Sequence, residues 1–279
     1  MELLVAISIM SLLMGILLPV LSKVRDHART VVGADNQKQT VVAANLFACD
    51  NGGFYPPSVS YVEYGGNWNW YDPRTLASWN TTPVHPHRAM SEYLGSYIKD
   101  ASIMFCPKAP EKFKYLQEAW DAGDEWNNPD TTFDVLAFRG SYCYYWNYVG
   151  WVDKNTLFRG PRGPSDGIRG QSTVMMSCYF GYDHRRVPKA FGSCERLKGA
   201  DVVEENLIES AWWSRPASGV SNLSSISVKL HGAYIDGHVE SFTPSEAVPM
   251  KAIMNRFTNE PYPSGVGPGD FYIPGNGLR

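Results

Sequence analysis

Residues 3–21 read LLVAISIMSLLMGILLPVL, a run without a single charge, entered by Glu2 and left through Ser22-Lys23-Val24-Arg25. At about 1.5 Å of rise per residue, a helix of this length crosses the hydrocarbon core of a bilayer. Two features set it apart from an ordinary anchor. Glu2 puts a lone carboxylate at the start of the apolar run, where a bare charge in lipid is expensive and needs a partner. Pro19 removes one backbone hydrogen bond inside the helix and presses on the preceding turn.

Three readings of the run compete. A cleaved secretory signal would show a basic stretch before a shorter apolar core and a small-residue cleavage site after it, and the run has neither flank. A plain signal anchor fits the length, and Lys23, Arg25 and Arg29 would hold the far end in the cytoplasm. That orientation conflicts with the cysteines. The chain has five, none in a Cys-x-x-Cys spacing, which argues against a zinc ribbon or redox motif. In an exported domain Cys106, Cys143, Cys178 and Cys194 can form up to two disulfides, with the pairing open and Cys49 the odd one. The third reading is a membrane helix later drawn out of the bilayer to pack against copies of itself.

Beyond the run the apolar spacing stays helical. Val24, Ala28, Val31, Val42, Leu46 and Cys49 recur at three- and four-residue steps around the polar middle Asp35 to Gln39. One long helix is expected to about Ala48, its second half covered by the globular part. Asp50-Asn51-Gly52-Gly53 ends it and Tyr55-Pro56-Pro57 turns the chain away. The expected organisation is therefore a filament-core or transmembrane helix over 1–22, an amphipathic continuation over 23–50, a β-rich head over 51–260 and a Pro/Gly-rich tail over 261–279.

Within the head, short helices are expected over 87–97 and 110–122, with strands over 103–106, 141–149, 172–179, 226–235 and 238–242. A Gly/Pro-rich loop over 160–170 is expected to be mobile. Asp236-Gly237 is the strongest hairpin signal in the chain. Thr243-Pro244-Ser245-Glu246 reads as a capping box opening a helix that Pro249 cuts short. The tail is expected to lack regular structure, with Phe271, Tyr272 and Ile273 as its apolar anchor, disordered or laid on a neighbouring subunit. The aromatic cluster over 64–71 suits packing, subunit contact or sugar stacking.

Composition narrows the function. With 279 residues and a net charge of −3 the chain has no basic excess, so nucleic acid is not expected as a partner. No phosphate loop, nucleophile elbow, dinucleotide fingerprint or His-Glu-x-x-His pattern occurs, and a non-enzymatic role is expected. Asp121, Asp124, Glu125 and Asp130 form the densest set of hard oxygen ligands, at a spacing unlike an EF-hand. Calcium is the ion they would take, and apart from it no cofactor is expected.

The segments Glu2-Leu3-Leu4-Val5-Ala6-Ile7 and Leu17-Leu18-Pro19-Val20-Leu21-Ser22-Lys23 resemble the N-terminal segment of type IV prepilins and type II secretion pseudopilins. Glutamate and proline stand as far apart here as in that family, which places Met1 inside what would be the mature helix. Asp35-Asn36-Gln37-Lys38-Gln39, Asp50-Asn51-Gly52-Gly53-Phe54-Tyr55-Pro56-Pro57, Phe105-Cys106-Pro107 and Asp236-Gly237-His238-Val239 are similar to further pieces of pilin-like proteins of this kind. The resemblance implies an α+β fold in which a long N-terminal hydrophobic helix packs on a β-rich head with short helices and long loops. It implies a structural subunit of a surface or periplasmic helical filament. The precursor would wait in the cytoplasmic membrane, and copies of the chain and the pilus or secretion assembly machinery would be its partners. Glu2, Gly15 and Pro19 would serve assembly, and Leu3, Leu4, Ile7, Leu12, Leu13, Leu17, Leu18 and Leu21 would pack the filament core. The alternative is a membrane-tethered glycan-binding protein that uses the same anchor.

Overall fold

The computed structural model describes residues 2–60, 73–78, 86–109, 113–130, 138–151, 157–166, 172–183, 189–192, 229–250 and 270–275. Helix α1 (Glu2–Asp50) runs without a break through Pro19. Its end is built by Gly53, whose backbone N–H donates to Ala48 O (2.7 Å) while Gly52 and Gly53 take positive φ.

The head is antiparallel. Strands β3 (Tyr142–Tyr144), β6 (Val174–Cys178), β9 (Leu230–Tyr234) and β10 (Val239–Phe242) form a four-stranded sheet in the order β10-β9-β6-β3. A second sheet has the order β11-β12-β7-β8, from β7 (Phe180–Asp183), β8 (Lys189–Gly192), β11 (Ala247–Met250) and β12 (Asp270–Pro274). Two ribbons complete the described strands, β1 (Thr75–Ala77) with β2 (Phe138–Arg139) and β4 (Val149–Trp151) with β5 (Leu157–Arg159). Helices α2 (Ser91–Leu94) and α3 (Leu116–Ala122) are short. A long apolar helix followed by antiparallel sheets makes an α+β architecture.

Alternation along β3 decides the layering. Tyr142 and Tyr144 join the larger core with α1, α2 and α3, whereas Cys143 joins a second cluster with Phe158, Met250 and Ile273. The first sheet is thus buried on both faces, by the stalk of α1 on one side and by β5, β11 and β12 on the other.

Several expectations need correction. Residues 101–104 form a 3₁₀ turn rather than a strand, because the Asp100 carboxylate accepts the Ser102 N–H (2.8 Å) and starts a helical turn. The span 141–149 is broken at Asn147, whose φ of 53° turns the chain and whose Nδ2 donates to the carbonyls of Tyr55 and Pro56 (2.9 and 2.8 Å). Of the loop expected to be mobile over 160–170, the described part up to Asp166 is held by hydrogen bonds: Asp166, buried, accepts the Arg162 N–H (2.5 Å), and Arg162 O accepts the Tyr55 N–H (2.8 Å), while residues 167–170 lie outside the described residues. Thr243 opens only a single 3₁₀ turn, Pro244–Glu246, before β11 begins. Pro249 suits β11 because that strand lies at the edge of its sheet. The tail's Phe271-Tyr272-Ile273 is part of β12, paired on both sides within this chain, with Ile273 fully buried.

Candidate functional site

Helix α1 divides into two parts that meet different surroundings. From Leu3 to Ala28 every described residue is exposed, including Leu3, Leu4, Ile7, Leu12, Leu13, Gly15, Leu17, Leu18, Pro19 and Leu21. The most apolar 18-residue window has a mean hydropathy of 2.6 with none of it buried, so the helix is long and apolar enough to cross a membrane. Glu2 is described by its helical backbone alone, so the expectation for its carboxylate lies outside what the structure describes. Gly15 and Pro19 stand four apart, so proline withholds the N–H that would bond Gly15 O. Helix propensity is also lowest at these two positions.

The stalk reverses the expected amphipathic reading. Val24, Val31, Val42 and Leu46 are 45–58% exposed, and Ala28 and Cys49 are exposed with them. The head instead covers Gly33, Asn36, Gln37, Thr40, Val41, Ala44 and Ala48. Small residues let α1 approach the sheet closely, and amides satisfy carbonyls that would otherwise be buried without a donor.

This seat can be followed atom by atom. Tyr142, Cys178 and His231 lie side by side on β3, β6 and β9, given the registers Tyr142↔Cys178 and Ser177↔Gly232. Over that row sit two residues one turn apart. Tyr142 OH donates to Gly33 O (3.2 Å), while Gln37 Nε2 lies 3.4 Å from Cys178 Sγ and donates to His231 O (3.3 Å). Asn36 Nδ2 donates to Phe105 O (3.1 Å), and Asn45 Nδ2 to Ile235 O (3.2 Å) at the hairpin. Tyr55 OH donates to Asn45 Oδ1 (2.8 Å). Burial first, and then the Asp166 charge, pushes the Tyr55 hydroxyl pKa up, so it stays a donor.

Sequence reasoning missed these seat residues because it followed the large apolar side chains. The signal was present: Gly33, Gln37, Thr40, Ala44 and Ala48 recur at helical spacing and are all small or hydrogen-bonding.

The other candidate residues do not converge. Asp124 accepts from His87 Nδ1 (2.8 Å), Arg88 N (2.8 Å) and Ala89 N (2.9 Å), tying the segment before α2 to the end of α3. Asp121 accepts from Gln117 (2.8 Å), and Asp130 accepts from Tyr115 OH (2.8 Å) and Lys114 (3.2 Å). Those two contacts, the tyrosine first, hold the Asp130 carboxyl below its usual range. Glu125 lies in the 3₁₀ turn beside Asp124. Asp121, Asp124 and Asp130 are thus engaged separately, and no group of three His, Cys, Asp or Glu is arranged for a metal among the described residues.

No disulfide joins the described cysteines: Cys106, Cys143 and Cys178 are buried and Cys49 is exposed, while Cys194 lies outside the described residues. Cys143 faces the second cluster and Cys106 and Cys178 the first, so sheet alternation separates Cys143 from the other two. Asp236 and Gly237 do close a hairpin. Gly237 N donates to Tyr234 O (2.8 Å), and of the pair only Gly237 takes positive φ (83°). The loop is therefore three residues, Ile235 to Gly237, rather than a two-residue turn. The His238 ring stacks on Tyr234 (4.3 Å) and its Nδ1 donates to Asp236 Oδ1 (2.5 Å), a local arrangement at an exposed tip. The aromatic cluster over 64–71 lies outside the described residues.

Fold and site together define an α+β chain with a membrane-length apolar helix set on an antiparallel β head, a layout compatible with pilin-like proteins. No family model matches the sequence, and no curated protein or solved structure matches it either.

Proposed function

We propose that this chain is a structural, non-enzymatic subunit of a helical filament, pilin-like or pseudopilin-like, assembled through α1. One observation carries the reading: Leu3 to Val24 are exposed all round α1, and beyond them Val31, Val42 and Leu46 continue an exposed apolar face on the side of the stalk away from the residues that the head covers. Apolar area left in water costs about 25 cal/mol per Å². Lipid covers residues 3–21 while the subunit waits in the cytoplasmic membrane, and neighbouring helices cover them after assembly, at the cell surface or in the periplasm. Glu2 then neutralises the terminal amine of a neighbouring subunit, which satisfies its charge and sets the axial register. Gly15 to Pro19 is the stretch that loosens when the helix leaves the bilayer.

Electron microscopy of sheared cell-surface material tests the class, with unbranched fibres of this chain expected. Glu2→Ala is expected to leave folding and membrane insertion intact and to abolish fibres. Normal fibres from that variant would remove Glu2 from assembly, and a lone lipid-held monomer in the unaltered protein would overturn the reading as a whole.

A further inference from the structure

The outward face of the stalk has a midline opposite the head, through Val24, Ala28, Val31, Val42 and Leu46, interrupted by one acid and one base. These are Asp35 and Lys38, both exposed. Among the described residues of its own copy the Asp35 carboxylate accepts only from Gln39 Nε2 (2.7 Å), and Lys38 makes no ion pair there. At the 3.5-residue period of the stripe Lys38 falls in the row of Val24 and Val31 and Asp35 in the row of Ala28 and Val42, so the two charges sit on opposite flanks of the midline.

Lipid is not what covers this stripe. Residues 3–21 already fill the hydrocarbon thickness, and Lys23, Arg25, Asp26, His27 and Arg29 mark its edge, so the face beyond them stands in water. The spacing points to a second helix of the same kind. Leu17, Leu21, Val24, Ala28, Val31, Asp35, Lys38 and Val42 alternate steps of four and three, the 3.5-residue period of helices that wrap around one another. Copies inserted in one membrane are parallel. An in-register parallel pair meeting on the midline would set Asp35 against Asp35 and Lys38 against Lys38, which repels. Side-by-side packing with the heads outward sets the Lys38 flank of one copy against the Asp35 flank of the next.

We propose that Asp35 of one copy and Lys38 of its neighbour form the contact that orders adjacent stalks. It rests on the assembly reading above and adds a partner for each flank. Every copy presents the unused charge to a third copy, so the contact repeats without closing on a pair.

Charge exchange in the full-length chain tests it. Asp35→Lys and Lys38→Asp singly are expected to lower the yield of sheared fibres at least about tenfold, because each sets like charges together. Melting of the detergent-extracted subunit should not move, since both side chains are exposed. The double exchange D35K/K38D is expected to restore fibres to within about twofold. Bismaleimide cross-linking through Cys49, exposed on the same face, is expected to give covalent dimers of this chain. Single variants that assemble normally, a double exchange that fails to rescue, or capture of a different polypeptide at Cys49 would each overturn the pairing while leaving fibres of the unaltered chain as evidence for assembly. Absence of fibres from the unaltered chain would instead remove the assembly reading and the pairing with it.

Discussion

At Gly33 the stalk packs tightly against the head. A Cβ there would lie 3.1 Å from Cys106 Sγ and 3.8 Å from Tyr142 OH, so the position tolerates a methyl only if the cysteine gives way by a few tenths of an ångström. Gly33→Val is expected to lower head stability by about 1–3 kcal/mol through overpacking, and Gly33→Ala by less, as read from thermal melts of the extracted protein. At Glu246 the argument concerns charge. Its carboxylate accepts the Thr243 N–H (2.8 Å) and the Thr243 hydroxyl (2.8 Å), and the backbone contact first, then the hydroxyl, holds its pKa below the usual value. A depressed acid adds stability above its unfolded pKa and loses it as pH falls through the folded one. The protection factor of the Thr243 amide, its exchange corrected for the intrinsic pH dependence, is therefore expected to fall on acidification below the ordinary glutamate range. Glu246→Gln should show much weaker pH dependence, and an unchanged profile in that variant would place the titration elsewhere.

At the scale of the element, neighbouring residues of α1 should behave in opposite ways. Val41 is fully buried against the head and Val42 is 45% exposed beside it. Val41→Asp buries an unpaired charge and is expected to cost about 3–5 kcal/mol. Val42→Asp is expected to change head stability by no more than about 0.5 kcal/mol while suppressing assembly. Equal melting losses in the two variants would refute the assignment of faces. The same helix shows what could be read in advance. Its length, its stop at Gly52-Gly53 and the hairpin at Asp236-Gly237 were legible, because each is set by local backbone chemistry. Its docking face was not, since the rule that apolar residues face inward presumes that everything covering a helix belongs to its own chain. Residues 103–106 misled for a related reason: a short apolar run fits strand or helix equally, and the decision fell to the Asp100 cap just before it.

For the whole molecule, the two parts of α1 carry separable debts to the rest of the chain. Residues 3–28 are all exposed, so the head does not depend on them. The stalk from Gly33 to Ala48 is different. It covers one face of the first sheet and supplies the partners of Phe105 O, His231 O, Ile235 O and the Tyr55 hydroxyl. A chain starting at Thr30 is therefore expected to be soluble and monomeric, with a cooperative melt close to that of the full-length protein and no fibres. One starting at Asn51 would expose Tyr142, Met104 and Leu94, all fully covered in the intact head, and is expected to aggregate without a cooperative transition. Comparing the melts of these two chains decides whether residues 30–50 are structurally part of the head. Were the chain from Asn51 to fold as well as the longer one, the stalk would be a detachable linker, and the amide and glycine seat described here would have no structural role.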